Sequence, residues 1–127
     1  MYKIRETYVD YNGTERTEDF YFNLTKGEIM DMEMSVNGGL AETLNRLIQA
    51  QDGGSILQII KNLVKNSYGV KSPDGKRFIK NEAILEEFIQ TEAFSQIYVR
   101  LATDAEEASK FVNGIIPAEM SKQIANT

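Results

Sequence analysis

Carboxylates come closest to a reactive arrangement in this sequence. Glu86-Glu87 and Glu106-Glu107 are adjacent pairs. Neighbours on a helix point about 100° apart, so neither pair converges on one substrate, and both read as solvated faces. Asp31-x-Glu33-x-Ser35, with Glu42 eleven residues after Asp31, echoes a calcium loop. The sixth position, where the bend calls for Gly, is Val36, so a helix break is the better reading. Gly38-Gly39 and Gly53-Gly54 lack the Lys-Ser/Thr that follows a phosphate-binding loop. Lys71, Lys76, Arg77 and Lys80 form the densest basic stretch, and Tyr68 and Phe78 nearby would allow phosphate contact plus base stacking. Acidic segments flank that stretch, which favours a solvated loop. Met30, Met32 and Met34 could supply an adaptable binding surface, since Met repacks easily, although core filling explains them as well.

The inventory narrows the chemistry further. The chain has 127 residues with no Cys and no His. Thiol nucleophiles, disulfides, thiolate metal sites and His-dependent triads or zinc sites are excluded. Carboxylate, Lys or Tyr catalysis stays open in principle, but no catalytic, cofactor-binding or metal residue is indicated, and a non-enzymatic role is expected. The net charge of -5 is unevenly spread: four basic against eight acidic residues over 1–36, seven against three over 37–80, and three against eight over 81–127. A nucleic-acid binder usually shows a basic excess, so no nucleic-acid partner is expected. Alternating sign suits an adaptor with unlike faces, or segments that attract one another within the fold. No apolar run is long enough to cross a membrane, and the N-terminus Met1-Tyr2-Lys3-Ile4-Arg5-Glu6 lacks the pattern of a signal peptide. A cytoplasmic protein without a membrane partner is expected. The sequons at Asn12 and Asn23 then carry no meaning.

The elements that would position these groups follow from periodicity and turn chemistry. Residues 1–25 read as a β-hairpin around Asn12-Gly13, with Phe20, Phe22 and Leu24 on a buried face. A two-residue turn would put Phe22 opposite Lys3. A three-residue loop, Asn12-Gly13-Thr14, pairs Tyr11 with Glu15 and Phe22 with Ile4. The second gathers Tyr2, Ile4, Phe22 and Leu24 on one face and is preferred, with Gly13 or a neighbour at positive φ and Glu6 awkwardly opposite Phe20. Thr25-Lys26-Gly27-Glu28 has the form of a capping box, opening a helix to about Ser35. Leu40, Leu44, Leu47 and Ile48 give helical spacing to about Gln51. Asp52-Gly53-Gly54 marks a break, and Ser55-Ile56-Leu57-Gln58 a second capping box. Residues 69–80 form a loop or minor hairpin around Ser72-Pro73-Asp74-Gly75. Asn81 caps a helix, a second apolar set spans Ala93 to Ala102, and Thr103-Asp104-Ala105-Glu106 caps a last helix ended by Gly114 and Pro117. The expected architecture is α+β in a single domain: an N-terminal β-hairpin (1–25), about six mostly short helices over 26–117, and a flexible tail at 118–127.

The helix over 55–67 has the widest apolar face. Ile56, Leu57, Ile59, Ile60, Leu63 and Val64 fill an arc of roughly 160°. That is wider than one two-layer contact needs. Ile56, Ile60 and Leu63 are expected in the core. Ile59 at one margin, and Leu57 with Val64 at the other, are expected to be partly available to a partner or a second subunit.

The second half carries a further pattern. Pro73-Asp74-Gly75-Lys76-Arg77-Phe78 leads into Glu86-Glu87-Phe88-Ile89-Gln90-Thr91-Glu92-Ala93-Phe94, and the chain then runs through Leu101-Ala102-Thr103-Asp104-Ala105-Glu106-Glu107-Ala108 to Phe111-Val112-Asn113-Gly114-Ile115-Ile116-Pro117. This resembles the tail assembly chaperones of long-tailed, siphovirus-type phages and prophages of Gram-positive bacteria, most clearly over 68–117. The hairpin with Thr25-Lys26-Gly27-Glu28 is similar to the start of such proteins.

The resemblance implies a non-enzymatic helper, without cofactor. It would coat the tape measure protein, a long helical rod with apolar faces, keep it soluble in the host cytoplasm, and help recruit tail-tube subunits. Partners implied are the tape measure protein, the tail-tube protein and further copies of the chain itself. Such proteins often also occur in a frameshifted, extended form and are absent from the finished particle. Two rival readings remain open on the residues alone: a structural tail or head-completion protein retained in the virion, and a nucleic-acid-binding regulator using the basic middle segment.

Overall fold

The computed structural model describes residues 1–35 and 53–117, with side chains over 1–31 and 57–117. The expected helix at 40–51, Glu42 of the calcium-like pattern and the expected tail at 118–127 lie outside the described residues. In order, the elements are β1 (Tyr2–Val9), β2 (Glu15–Phe22), α1 (Lys26–Ser35), α2 (Gly53–Ser67), β3 (Tyr68–Lys71), β4 (Phe78–Ile79), α3 (Glu82–Ile89), α4 (Glu92–Thr103) and α5 (Ala105–Ile115). The α+β class is as expected. Five helices are described, and the second hairpin joins the first in one antiparallel sheet of order β1-β2-β3-β4.

The first hairpin shows how local chemistry sets register. The Asp10 carboxylate accepts the Asn12 and Thr14 N–H groups, each at 2.9 Å, and its other oxygen takes Arg16 Nε at 2.6 Å. The Gly13 N–H closes back on the Asp10 carbonyl at 3.0 Å, with Gly13 at φ 81°. The loop is therefore Tyr11-Asn12-Gly13, one residue earlier than expected, because Asp10 organises the turn from its first position. Phe22 faces Tyr2 rather than Ile4, and Glu6 faces Glu18 rather than Phe20. The shift is an even number of residues, so the same side chains stay inside. Ile4, Glu6, Tyr8, Phe20 and Phe22 are buried, while Lys3, Arg5, Thr7 and Val9 are exposed.

Helix starts follow their caps. Thr25 and Glu28 form the reciprocal pair, with the Thr25 N–H on Glu28 Oε1 at 2.8 Å and the Glu28 N–H on Thr25 Oγ1 at 3.2 Å. Asn81 Oδ1 accepts the Ile84 N–H, and Thr91 Oγ1 accepts the Phe94 N–H. Three boundaries differ from expectation. Helix α2 starts at Gly53, so Gly53 and Gly54 are helical and Ser55 is not the cap. The cap of α5 is Asp104, which accepts two N–H groups, while the Thr103 hydroxyl donates back to Val99 O at the end of α4. Gly114 lies within α5 rather than ending it.

Helices α4 and α5 pack on β1, α3 packs on β3, and α2 packs on α4. The core is aromatic at its centre. Phe22 meets Tyr68, Phe88 and Phe111 with ring centroids 5.4–6.0 Å apart, and Tyr68 stacks on Phe88 at 4.1 Å. Such contacts add to area burial by about 0.5–1.5 kcal/mol each. The buried Ser67 hydroxyl bonds to Leu63 O at 2.6 Å, and no described buried side-chain polar atom lacks a partner.

Candidate partner-binding surface

The groups singled out for chemistry are separated by the fold. Asp31–Ser35 is helical rather than a cation loop, and the described residues hold no group of three or more His, Cys, Asp or Glu placed to take a metal. Glu106 and Glu107 lie 3.8 and 4.0 Å from Lys110, and Glu86 accepts Gln90, each pair on its own helix surface. The basic stretch is dispersed. Lys71 lies over the Tyr21 ring, 4.5 Å from its centroid. Lys76 and Arg77 occupy the β3–β4 turn. Lys80 is drawn inward to Glu28 Oε2 at 2.6 Å, Asn23 O at 2.7 Å and Asn66 O at 3.0 Å. Tyr68 is half-buried and stacked on Phe88, so that face of its ring is not offered to a base. No helix among the described residues is long and apolar enough to cross a membrane.

What remains is an apolar margin on α2. Ile60, Leu63 and Val64 are buried, Ile59 is half-buried, and Leu57 is 39% exposed. Val64 was expected at the open margin with Leu57 and is instead fully buried. The two share an angular position, but two helical turns, about 10 Å, separate them along the axis. Packing seals the helix at Val64, near where the chain turns into β3, and leaves Leu57 partly exposed. The Ile56 side chain lies outside the described residues.

Lys61, one turn beyond Leu57, places its ammonium over the Tyr98 ring of α4, 5.4 Å from the centroid. Gln58 and Asn62 bond to each other at 3.2 Å and form a polar border. Leu57 is thus a partly exposed apolar position beside a cation and an amide pair. Leu57 is exposed and Ile59 half-buried, and other apolar side chains that were not singled out are exposed as well: Met30 at 54%, Val99 at 44% and Val70 at 41%. Met30 was weighed only with its methionine neighbours. Val99 could have been found, because it falls off the stripe Ala93, Phe94, Ile97, Leu101 that α4 buries.

A family model described as phage tail assembly chaperone matches residues 1–127. No curated protein and no solved structure matches the chain significantly.

Proposed function

The chain belongs to the phage tail assembly chaperone family, and from that premise we propose that it binds helical segments of a tape measure protein and keeps them soluble until a tail tube encloses them. It acts without catalysis, in the cytoplasm of a bacterial host, for a siphovirus-type phage or prophage of Gram-positive bacteria, and it helps bring tail-tube subunits to the rod. The single observation that carries the reading is the open apolar margin of α2 at Leu57 and Ile59, on a helix whose remaining described apolar positions are buried. A groove or margin of this kind takes the apolar face of another helix. One small protein must cover many turns of a rod, so each contact is weak and strength comes from many copies on one target. Apolar contact persists in salt better than exposed ion pairs do.

The test is co-expression with a tape measure protein, followed by sedimentation and size exclusion. The tape measure protein is expected in the soluble fraction, in complex, only when this chain is present. Leu57→Asp, at the exposed position, should abolish co-solubilisation and leave the chain folded. Val64→Asp, in the core, should unfold it. Equal solubility of the tape measure protein with and without this chain, and no recovered complex, defeats the reading.

A further inference from the structure

Three Asn-Gly dipeptides occur in the chain: Asn12-Gly13, Asn37-Gly38 and Asn113-Gly114. Glycine sets no side chain beside its amide nitrogen and lets the backbone bend, so an asparagine carboxamide before it can be reached by that nitrogen. Whether this happens in a folded chain depends on the room and freedom around the pair. Asn37-Gly38 lies outside the described residues. The other two are placed in opposite ways. Asn12 and Gly13, at the tip of the first hairpin, are both exposed. A Cβ built on Gly13 would meet nothing within 4 Å. The Asn12 N–H is held by Asp10 Oδ1 at 2.9 Å, but its carboxamide takes no hydrogen bond among the described residues. The Gly13 N–H is tied to the Asp10 carbonyl at 3.0 Å, a contact at an exposed loop tip that opens at little cost. Asn113 and Gly114 lie within α5, where the Gly114 N–H belongs to the helical ladder. The Tyr2 ring stands against the Gly114 backbone, and the Leu24 N–H pins the next residue through Ile115 O at 2.7 Å. Bending the chain there would unwind the end of the helix and displace the ring.

We propose that Asn12 is a site of self-modification: the folded chain converts it, without an enzyme, to aspartate and isoaspartate, while the fold protects Asn113. The Gly13 amide nitrogen attacks Asn12 Cγ. The new N–Cγ bond forms, the Cγ–Nδ2 bond breaks, and the amide proton of Gly13 leaves with the amino group as ammonia. The product is a five-membered succinimide. Water, the co-reactant, then opens that ring. Addition at Cγ breaks the new bond and leaves aspartate. Addition at the Asn12 backbone carbonyl breaks the original peptide bond and leaves isoaspartate, with the chain running through Cγ. Nothing is oxidised or reduced. Aspartate sets a second carboxylate two residues from Asp10. Isoaspartate adds a methylene to the main chain inside the loop that Asp10 clamps through the Thr14 N–H and Arg16. That product changes the loop geometry, loosens the hairpin tip and weakens the Tyr11 hydroxyl contact with Glu92 at 3.4 Å. The site is apart from the α2 margin, so it stands with or without a tape measure partner.

Peptide mapping by mass spectrometry tests it, on the full chain held in warm, mildly alkaline buffer and sampled over days. Digestion in heavy-oxygen water marks any conversion that occurs during handling, so only unlabelled product counts. In the folded chain the Asn12 peptide is expected to gain the mass difference between a carboxamide and a carboxylate, divided between aspartate and isoaspartate forms. The Asn113 peptide should convert at least about tenfold more slowly, because α5 must open first. In urea the two sites should convert at similar rates. Asn12→Gln should abolish the gain at the hairpin tip, since a longer side chain closes the ring poorly. The comparison of folded with urea-unfolded wild type needs no variant, so it decides even if Asn12→Gln disturbs the turn. An Asn12 peptide that stays unconverted in the folded chain overturns the proposal, and so does an Asn113 peptide that converts there as fast as Asn12.

Discussion

The backbone of Gly114, in the last helix, lies against the ring of Tyr2, in the first strand. A Cβ at Gly114 would stand 2.3 Å from Tyr2 Cδ1. The same ring meets Phe111 edge-on at 5.8 Å, and the Leu24 N–H bonds to Ile115 O at 2.7 Å. Together these contacts close the described fold by holding α5 to the start of β1 and the end of β2.

Gly114→Ala therefore sets helix propensity against packing. Alanine gains about 1 kcal/mol in a helix interior, but forcing a methyl into a filled site costs about 1–3 kcal/mol. A net loss of about 1–2 kcal/mol is expected in urea unfolding. In a Tyr2→Ala background, where the obstructing ring is gone, the same substitution should become neutral or stabilising. Equal effects in both backgrounds would show that the ring is not the obstacle.

Lys80 ties four parts of the chain through Glu28, Asn23 O and Asn66 O. Lys80→Met leaves two carbonyls short of a donor at a partly exposed site, so a loss of about 1–2 kcal/mol is expected. The pH dependence is more diagnostic. Burial alone would raise the Glu28 carboxyl, but Lys80 and the Thr25 N–H outweigh it and hold it below the ordinary value. A depressed carboxyl adds stability above its unfolded pKa, and that stability is lost as pH falls through the folded value. Unfolding curves measured from neutral pH into acid should be flatter for Lys80→Met than for wild type. Parallel curves would count against this linkage.

Glu6 is a carboxylate on the inner face of the sheet, 5% exposed, held by Arg100 at 2.8 Å and by Gln96 at 2.9 Å. Removing one partner leaves a buried charge short of compensation. Because the Arg100 end is partly open to water, Arg100→Met should cost about 2 kcal/mol rather than the full buried-pair value. Glu6→Met with Arg100→Met should recover most of it, since apolar replacement of both partners is often neutral. A double variant as unstable as Arg100→Met would instead assign Glu6 a net stabilising role.

The Tyr8 phenol donates to Glu18, and that hydrogen bond, followed by burial, pushes its pKa up to about 12. A group raised in the folded state adds stability that is complete below its unfolded pKa, and that stability is lost as pH rises through the folded value. The contribution should therefore disappear between about 10 and about 12. Phenolate absorbance should lose one late-titrating tyrosine on Tyr8→Phe, while Tyr68, which burial also raises, stays late in both proteins. Titration of all six tyrosines together near 10 would refute the assignment.

By itself the sequence determined what depends on neighbours a few residues away. The Thr25/Glu28 box, the Asn81 cap, the Ser72-Pro73-Asp74-Gly75 turn and the alternating inner face of the first hairpin are all as read, because hydrogen bonds and side-chain direction repeat over three or four positions. Composition likewise removed His and Cys chemistry, and the 68–117 pattern pointed to the family that the whole chain matches. The tertiary structure decided whatever needs two distant segments at once. Glu6 faces Arg100 across ninety-four residues, and Lys80 faces Glu28 across fifty-two. Gly114, which locally reads as a helix stop, is a space for Tyr2. Val64 and Leu57 have nearly the same place on a helical wheel, yet one is sealed and the other open, because burial depends on which element packs at that height of the helix, and periodicity contains no information about the neighbour.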